Sequence, residues 1–330
     1  MATYPAQTTL DCGIVDDVVA FLSAIAAAKY ARSYNWSNIR GIPFNGTASV
    51  SDLPKSPAMH LFASLVLSSL GAGAQAIPNS WRIPNITTSV ADRVSLASAA
   101  LGVAIDNLDA TSAQYDGEAI GVTAALYAEM AEFDIATSQT KYEAALEKYF
   151  PLIETGQANF SNRADFGRAA ARAYTAYKNP TFLDYAVQSW WFGQGYTISQ
   201  ADASAGTIAT KDFPLSEVCQ DITMAGGTFW VMDNSQPDIV MLGTGSFLIL
   251  SALLAEATSN SMYLQAALES SDFVQAHLYN VQHIVQDSIS ARANDSCAVN
   301  SLSEPYDSGL MIHGLAILAN ITQNATTQNL

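Results

Sequence analysis

One helical motif recurs in this chain at a spacing of about forty residues. Three stretches carry it: Thr137-Ser-Gln-Thr-Lys-Tyr142, Tyr177-Lys-Asn-Pro-Thr-Phe182 and Thr258-Ser-Asn-Ser-Met-Tyr263. Each follows an Ala- and Leu-rich helical run and opens another. The anchoring aromatics Tyr142, Phe182 and Tyr263 lie 40 and then 81 residues apart, one repeat and then two. A repeat of that length is a helix–turn–helix unit that cannot bury its apolar face alone and must stack on its neighbours. The expected fold is therefore all-α, a succession of helical hairpins closed into a ring or left open as a solenoid.

Hydrophobic periodicity places the helices. They are expected over Asp11–Ser33, Ser56–Leu70, Ala91–Leu108, Glu118–Phe133, Lys141–Ile153, Pro180–Phe192, Ile239–Ala257, Ser261–Tyr279 and Gly309–Ala319. The clearest pattern is Phe166, Ala169, Ala170, Ala173, Tyr174 and Tyr177, an apolar stripe at i, i+3, i+4, i+7, i+8 and i+11. There is almost no strand signal. Ile239–Ala257 is apolar enough to raise the question of a membrane span. Gly243, Thr244, Gly245 and Ser246 interrupt it and it contains Glu256, so a buried helix is expected. Residues 193–237 and 280–305 are long irregular connections. In a compact domain such loops more often carry function than serve as spacers. Short turns within hairpins and long loops between them place the long loops at one rim, over helix N-termini.

Of the 330 residues, 49% are hydrophobic, and no linker divides the chain, so one domain spanning 1–330 is expected. With 30 acidic and 14 basic residues, the net charge of −16 repels a phosphate backbone and argues against a nucleic-acid partner. The apolar run after Asp16-Asp17 lacks the basic flank of a secretory leader. Secretion is suggested by seven Asn-x-Ser/Thr sequons, at Asn35, Asn45, Asn85, Asn159, Asn294, Asn320 and Asn324. Cys12, Cys219 and Cys297 are too few and too scattered for a metal or redox site. In an oxidising compartment we expect a Cys219–Cys297 disulfide that leaves Cys12 free. The four histidines are isolated and no metal-binding, phosphate-binding or dinucleotide motif is present, so neither metal nor cofactor is expected.

The long loops and helix starts hold the candidate groups. Met224-Ala-Gly-Gly-Thr-Phe-Trp230 sets Gly226 and Gly227, which permit close backbone approach, before Phe229 and Trp230, whose flat faces suit the C–H side of a sugar. The same pattern also fits a turn with core aromatics. Tyr306-Asp-Ser-Gly309, Asp116-Gly-Glu118 and Asn162-Arg-Ala-Asp165 stand at three helix starts, where capping is the alternative reading. Glycoside hydrolysis needs two carboxyl groups flanking the scissile bond. Asp116, Glu118, Asp165, Asp287 and Asp307 form the pool, with Asp165 paired to Asp307 or Asp116 as the expected arrangement. Asn162 and Tyr306 would be further substrate contacts.

Several segments together resemble the fungal branch of glycoside hydrolase family 76, the endo-α-1,6-mannanase-like proteins. They are Ala169-Ala-Ala-Arg-Ala-Tyr174, Phe182 to Phe192, Ala225-Gly-Gly-Thr-Phe-Trp230, Leu253 to Thr258, Asp287 to Arg292 with Asn294-Asp-Ser-Cys297, and Tyr306-Asp-Ser-Gly309, spread over roughly residues 90–325. The resemblance implies an (α/α)6-type toroid, built here from about five hairpins, with residues 11–70 as the N-terminal one. It also implies secretion or cell-wall association, and action on α-1,6-linked mannose chains by paired carboxylates. The family's adjacent aspartates should fall at Ser161 and Asn162, which are not carboxylates, and Asp165 is the nearest substitute. Where the family has Tyr-Asn-Gln-Gly, this chain has Tyr306-Asp307-Ser308-Gly309. Loss of the pair leaves a non-catalytic glycan binder, or a helical scaffold for a protein partner, as competing readings. A ring left incomplete at the C-terminus would expose apolar faces and invite self-association.

Overall fold

The computed structural model describes residues 87–115, 120–153 and 160–323, with the side chains of 120–121 and 160–162 left aside. The expected helices at Asp11–Ser33 and Ser56–Leu70 lie outside the described residues. So do Cys12, Asp116, Glu118, Asn35, Asn45, Asn85, Asn159 and Asn324. The described residues from Val94 onward belong to one compact unit.

Nine α-helices are present among the described residues. They are α1 (Val90–Ile105), α2 (Ile120–Thr137), α3 (Glu143–Ile153), α4 (Phe160–Tyr177), α5 (Pro180–Gln194), α6 (Gln200–Ala205), α7 (Met241–Thr258), α8 (Ser261–His277) and α9 (Pro305–Thr322). Helices α2, α4, α7 and α9 pack successively on one another, while α3, α5 and α8 return along the outside. This inner–outer alternation is the (α/α)6-type toroid architecture. Inner helices must be apolar on several sides, because neighbours flank them left and right and an outer helix covers the back. Helix α7 shows the consequence. Among the described residues it is the helix apolar and long enough to cross a membrane, and Met241 and Gly243–Ala255 are buried among α4, α5, α8 and α9. Small residues let these helices approach closely. A side chain at Gly314 of α9 would meet Leu248 of α7 at 2.6 Å.

The recurrent motif is the turn between an inner and an outer helix. Ser138, Lys178 and Ser259 end α2, α4 and α7 with left-handed backbone (φ 54, 56 and 57°). Asn179 and Asn260 then cap α5 and α8 by accepting from the N–H groups of Thr181 and Met262 (3.1 and 2.9 Å). The anchoring rings of Tyr142, Phe182 and Tyr263 are buried just beyond, where each outer helix begins. In the first turn, buried Asp134 accepts from the Tyr142 N–H (2.7 Å) and the Tyr177 hydroxyl (2.8 Å), tying α2, α3 and α4 together. Trp190 of α5 donates its indole N–H to Ser251 of α7 (2.8 Å) beneath a T-shaped contact with Tyr263.

The long connections contain strands that the sequence pattern misses. Strands β1 (Val218–Cys219) and β2 (Ile222–Thr223) form one ribbon. Strands β3 (Asp238–Val240), β4 (Ser288–Ser290) and β5 (Val299–Asn300) form an antiparallel sheet in the order β3-β4-β5. Segments of two or three residues are too short to show an alternation, which needs at least four. Both loops leave from the same rim, and the sheet stitches one to the other in front of α7 and α9. The Cys219–Cys297 disulfide (Cα–Cα 5.9 Å) ties the β1–β2 ribbon to the turn before β5.

Candidate active site

The rim is organised by Asp287. Its carbonyl accepts from the N–H of Met241, the first residue of α7 (2.7 Å), and its own N–H donates to Leu302 (2.8 Å), just ahead of α9. Its carboxylate oxygen Oδ2 accepts from the Ser288 hydroxyl and the Asn300 amide, both at 2.9 Å. Asp287 thus stands between the N-termini of two adjacent inner helices. Neither helix has a side-chain cap, the N-cap residues being Val240 and Glu304.

Asp307 occupies the first turn of α9, behind Pro305 at the position where a missing N–H costs nothing. Its side chain is fully buried, and neither carboxylate oxygen has a hydrogen-bond partner. Burial is the main cause that pushes its carboxyl up to about 6. Asp287 and Glu304 add to the rise, and the nearby Glu304 N–H, outside hydrogen-bonding geometry, offsets part of it. Tyr306 beside it is half exposed, and burial together with the Asp307, Asp287 and Glu304 charges pushes its hydroxyl up to about 12. Trp230 is also half exposed, with its backbone lying over Gly243 in the first turn of α7.

Asp165 lies further down α4 and is otherwise engaged. It pairs with Arg168 one turn along its own helix (2.9 Å) and accepts from Ser246 of α7 (3.0 Å). Burial raises its carboxyl, against the pull of the Arg168 charge and of the Ser246 hydrogen bond. The charged neighbours that act on Asp307 are Asp287 and Glu304, while the one acting on Asp165 is Arg168. The carboxylates close enough for their charge to act on Asp307 are therefore Asp287, a member of the sequence pool, and Glu304. Below this level Arg172 of α4 pairs with Glu132 of α2 and reaches Glu256 of α7 (3.9 Å), which also accepts from Asn320 of α9 (3.2 Å). His313 of α9 is exposed to solvent and lies close enough to Arg168 and Arg172 for their charges to act on it. Desolvation first, then Arg168 and Arg172, push its imidazole down to about 4.

Three expected contacts have other duties. Phe229 is fully buried, edge-on to Phe213, with the Lys211 ammonium 4.5 Å from its ring centre, so it offers no face to a ligand. Gly226 has φ +91°, and a side chain there would collide with the backbone of Glu269 in α8. One at Gly227 would meet the Phe273 ring at 2.7 Å. These glycines let the rim loop lie flat against α8 rather than let a ligand approach. Asn162 falls in the first turn of α4. Asn294 is exposed in the 3-10 turn Ala293–Asp295, whereas Asn320 is engaged with Glu256. Among the described residues no three His, Cys, Asp or Glu gather to hold a metal. The roles of Ser246 and Arg168 escaped sequence reading. Arg168 could have been found by its i+3 spacing from Asp165, but Ser246 sits 81 residues away.

Residues 215–329 match the glycosyl hydrolase family 76 model. The matched segment supplies Trp230, Asp287, Tyr306 and Asp307, and stops short of α4. No curated protein matches the chain. Among solved structures, an inactive variant of an alpha-1,6-mannanase from Salegentibacter sp., with two aspartates replaced and alpha-1,6-mannotetrose bound, is 14% identical with a TM-score of 0.56. That alignment covers 72% of this chain and 66% of that one. A family 76 mannosidase from Bacteroides thetaiotaomicron is 15% identical over 72% of this chain and 68% of its own (TM-score 0.53). Dfg5 from Chaetomium thermophilum, in complex with glucosamine, is 13% identical over 74% of this chain and 62% of its own (TM-score 0.53). The chain thus spans less than two thirds of the Salegentibacter and Chaetomium proteins, and at these identities the likeness to family 76 structures is one of fold.

Proposed function

We propose that this protein is a secreted, glycoside hydrolase-like protein that holds an α-1,6-linked mannan, or a related fungal wall glycan, at the rim formed by the N-termini of α7 and α9. The observation that carries the reading is that the family 76 match falls on the rim segment itself, where Trp230 over the first turn of α7 and Tyr306 in the first turn of α9 are half exposed. Such faces stack on the apolar side of a sugar ring while nearby carboxylates accept its hydroxyls. The bound mannotetrose of the Salegentibacter enzyme and the glucosamine of Dfg5 support a saccharide as ligand. The sequons and the Cys219–Cys297 bond support passage through an oxidising, secretory compartment.

Binding without turnover is the better-supported form of this reading. Ser161 and Asn162 stand where the resemblance places the catalytic pair, and Asp165 is held by Arg168 and Ser246. A second form, hydrolysis, is favoured by one observation. Asp307 has an acid strength suited to protonating a leaving oxygen, and Asp287 is a second carboxylate whose charge acts on it.

Calorimetry with α-1,6-mannotetraose tests the binding. Trp230→Ala should weaken it about tenfold, the loss of one sugar-stacking face. Unchanged affinity would remove the rim from the reading. Release of reducing sugar from α-1,6-mannan, abolished by Asp307→Asn or Asp287→Asn, would establish the hydrolytic form instead.

A further inference from the structure

The loop that carries Trp230 is held from beneath by one ammonium. Residues 230–236 are exposed or half-buried, while Lys211 is 9% exposed. Lys211 Nζ donates to the carbonyls of Val231 (2.9 Å) and Asp233 (2.7 Å) and stands 4.5 Å from the centre of the Phe229 ring. It therefore grips the residue on either side of Trp230, Phe229 by its ring and Val231 by its carbonyl. Farther along the loop, the Asp212 N–H donates to the Asn234 carbonyl (3.1 Å) and Arg292 donates to the Ser235 carbonyl (2.6 Å). A chain with 14 basic residues thus aims two of them at the carbonyls of one short loop.

Lysine is rarely buried unless it is paired. Among the described residues Lys211 forms no ion pair with a carboxylate. Taking its ammonium out of water costs free energy, which the two carbonyls and the aromatic face offset. A loop that needed only covering could rest on an apolar side chain without that cost. What the ammonium adds is direction, because its N–H groups fix the main chain on the far side of Trp230. Gly243 completes the seat, since a side chain there would meet the Trp230 Cα at 3.4 Å.

We propose that Lys211 is a positioning residue of the glycan rim, holding the Trp230 loop in its ligand-ready arrangement only while its amine is protonated. This inference rests on the reading of Trp230 as a sugar face. The charged groups that act on the ammonium are Asp233 in the loop, Asp212 beside it in the chain and Asp238 at the start of β3. Burial is the larger effect and pushes the amine down to about 8, while the three carboxylates offset part of the fall. Loss of the proton removes the charge that strengthens both carbonyl bonds and the ring contact. The grip is complete below that pH and slackens above it, in a range where an ordinary lysine stays charged.

The test is calorimetry of the full chain with α-1,6-mannotetraose at pH 7 and pH 9.5. Wild-type affinity should fall about three- to tenfold between them, the cost of ordering a loosened loop. Lys211→Met keeps the length of the side chain without its donors. It should bind weakly at both pH values, with no step between them. In a Trp230→Ala background, Lys211→Met should cost no further affinity, because Lys211 acts through Trp230. A lysine that only supports the fold would lower the urea midpoint and leave the affinity of the folded fraction unchanged. The wild-type comparison needs no variant to fold. A flat wild-type profile, or a full further loss in the Trp230→Ala background, would overturn the role of Lys211 while leaving the rim reading intact. Unweakened binding by Trp230→Ala alone would remove the rim reading and this inference with it.

Discussion

The Ser246 hydroxyl of α7 donates to Asp165 of α4 across the packed pair of inner helices, at 3.0 Å. Together with the Arg168 pair on its own helix, this leaves Asp165 holding two helices in register. It is the carboxylate nearest the position where the family resemblance places a catalytic pair, and its neighbours give it a structural duty.

Asp165→Asn should therefore act on stability rather than on ligand. Removing one member of a partly buried ion pair leaves Arg168 uncompensated, at a cost of about 1–3 kcal/mol. Urea unfolding should show a lower midpoint, and affinity for α-1,6-mannotetraose should stay within about twofold. Loss of reducing-sugar release in a folded Asp165→Asn protein would return this residue to catalysis.

Asp307→Asn should have the opposite effect on stability. The folded protein raises this carboxyl from an ordinary 3.8 to about 6, so between those values the native state binds more protons than the unfolded chain. Stability from this group is fully present below about pH 4 and is lost as pH rises through about 6, an amount of roughly 3 kcal/mol at most. Neutral asparagine escapes that loss. The variant should match the wild type near pH 3.5 and exceed it by about 1–3 kcal/mol at pH 7.5 in parallel urea titrations. A variant less stable than wild type at pH 7.5 would mean that the carboxylate has a compensating partner.

Gly226→Ala should cost stability without an affinity effect of its own. A methyl group there meets the Glu269 backbone, and φ +91° is a conformation that alanine resists. A loss of about 2 kcal/mol or more is expected in thermal unfolding, with mannotetraose affinity retained by the folded fraction. A stable variant with weakened affinity would show that the glycine serves ligand approach after all.

Replacing Cys219 and Cys297 with serine opens a loop with a sequence separation of 78 residues. Chain entropy puts the cost at roughly 4 kcal/mol. Because the bond fastens the β1–β2 ribbon to the turn before β5, proteolysis should strike residues 195–240 and 280–304 first. Cleavage first within α4 or α7 would mean that the bond supports the helices instead.

The hairpin repeat was legible in the chain alone because it is written in local chemistry. Asn179 and Asn260 cap the helices that they precede, and Tyr142, Phe182 and Tyr263 bury where each outer helix starts, so spacing by itself revealed the unit. The apolar interruption pattern of Met241–Thr258 likewise marked a helix wrapped by others. The short strands were not legible, since two or three residues cannot display a period. The rim was legible only as a set of candidates. Phe229, Gly226 and Gly227 have the composition of a sugar site, and only the packing against Phe213 and α8 makes them core. Asp165, Asp287 and Asp307 are indistinguishable as letters. Tertiary structure gave the first an arginine and a serine, the second a place between two helix ends, and the third no partner at all. A carboxyl's chemistry depends on the charge and water around it, and those are set by residues up to 81 positions away.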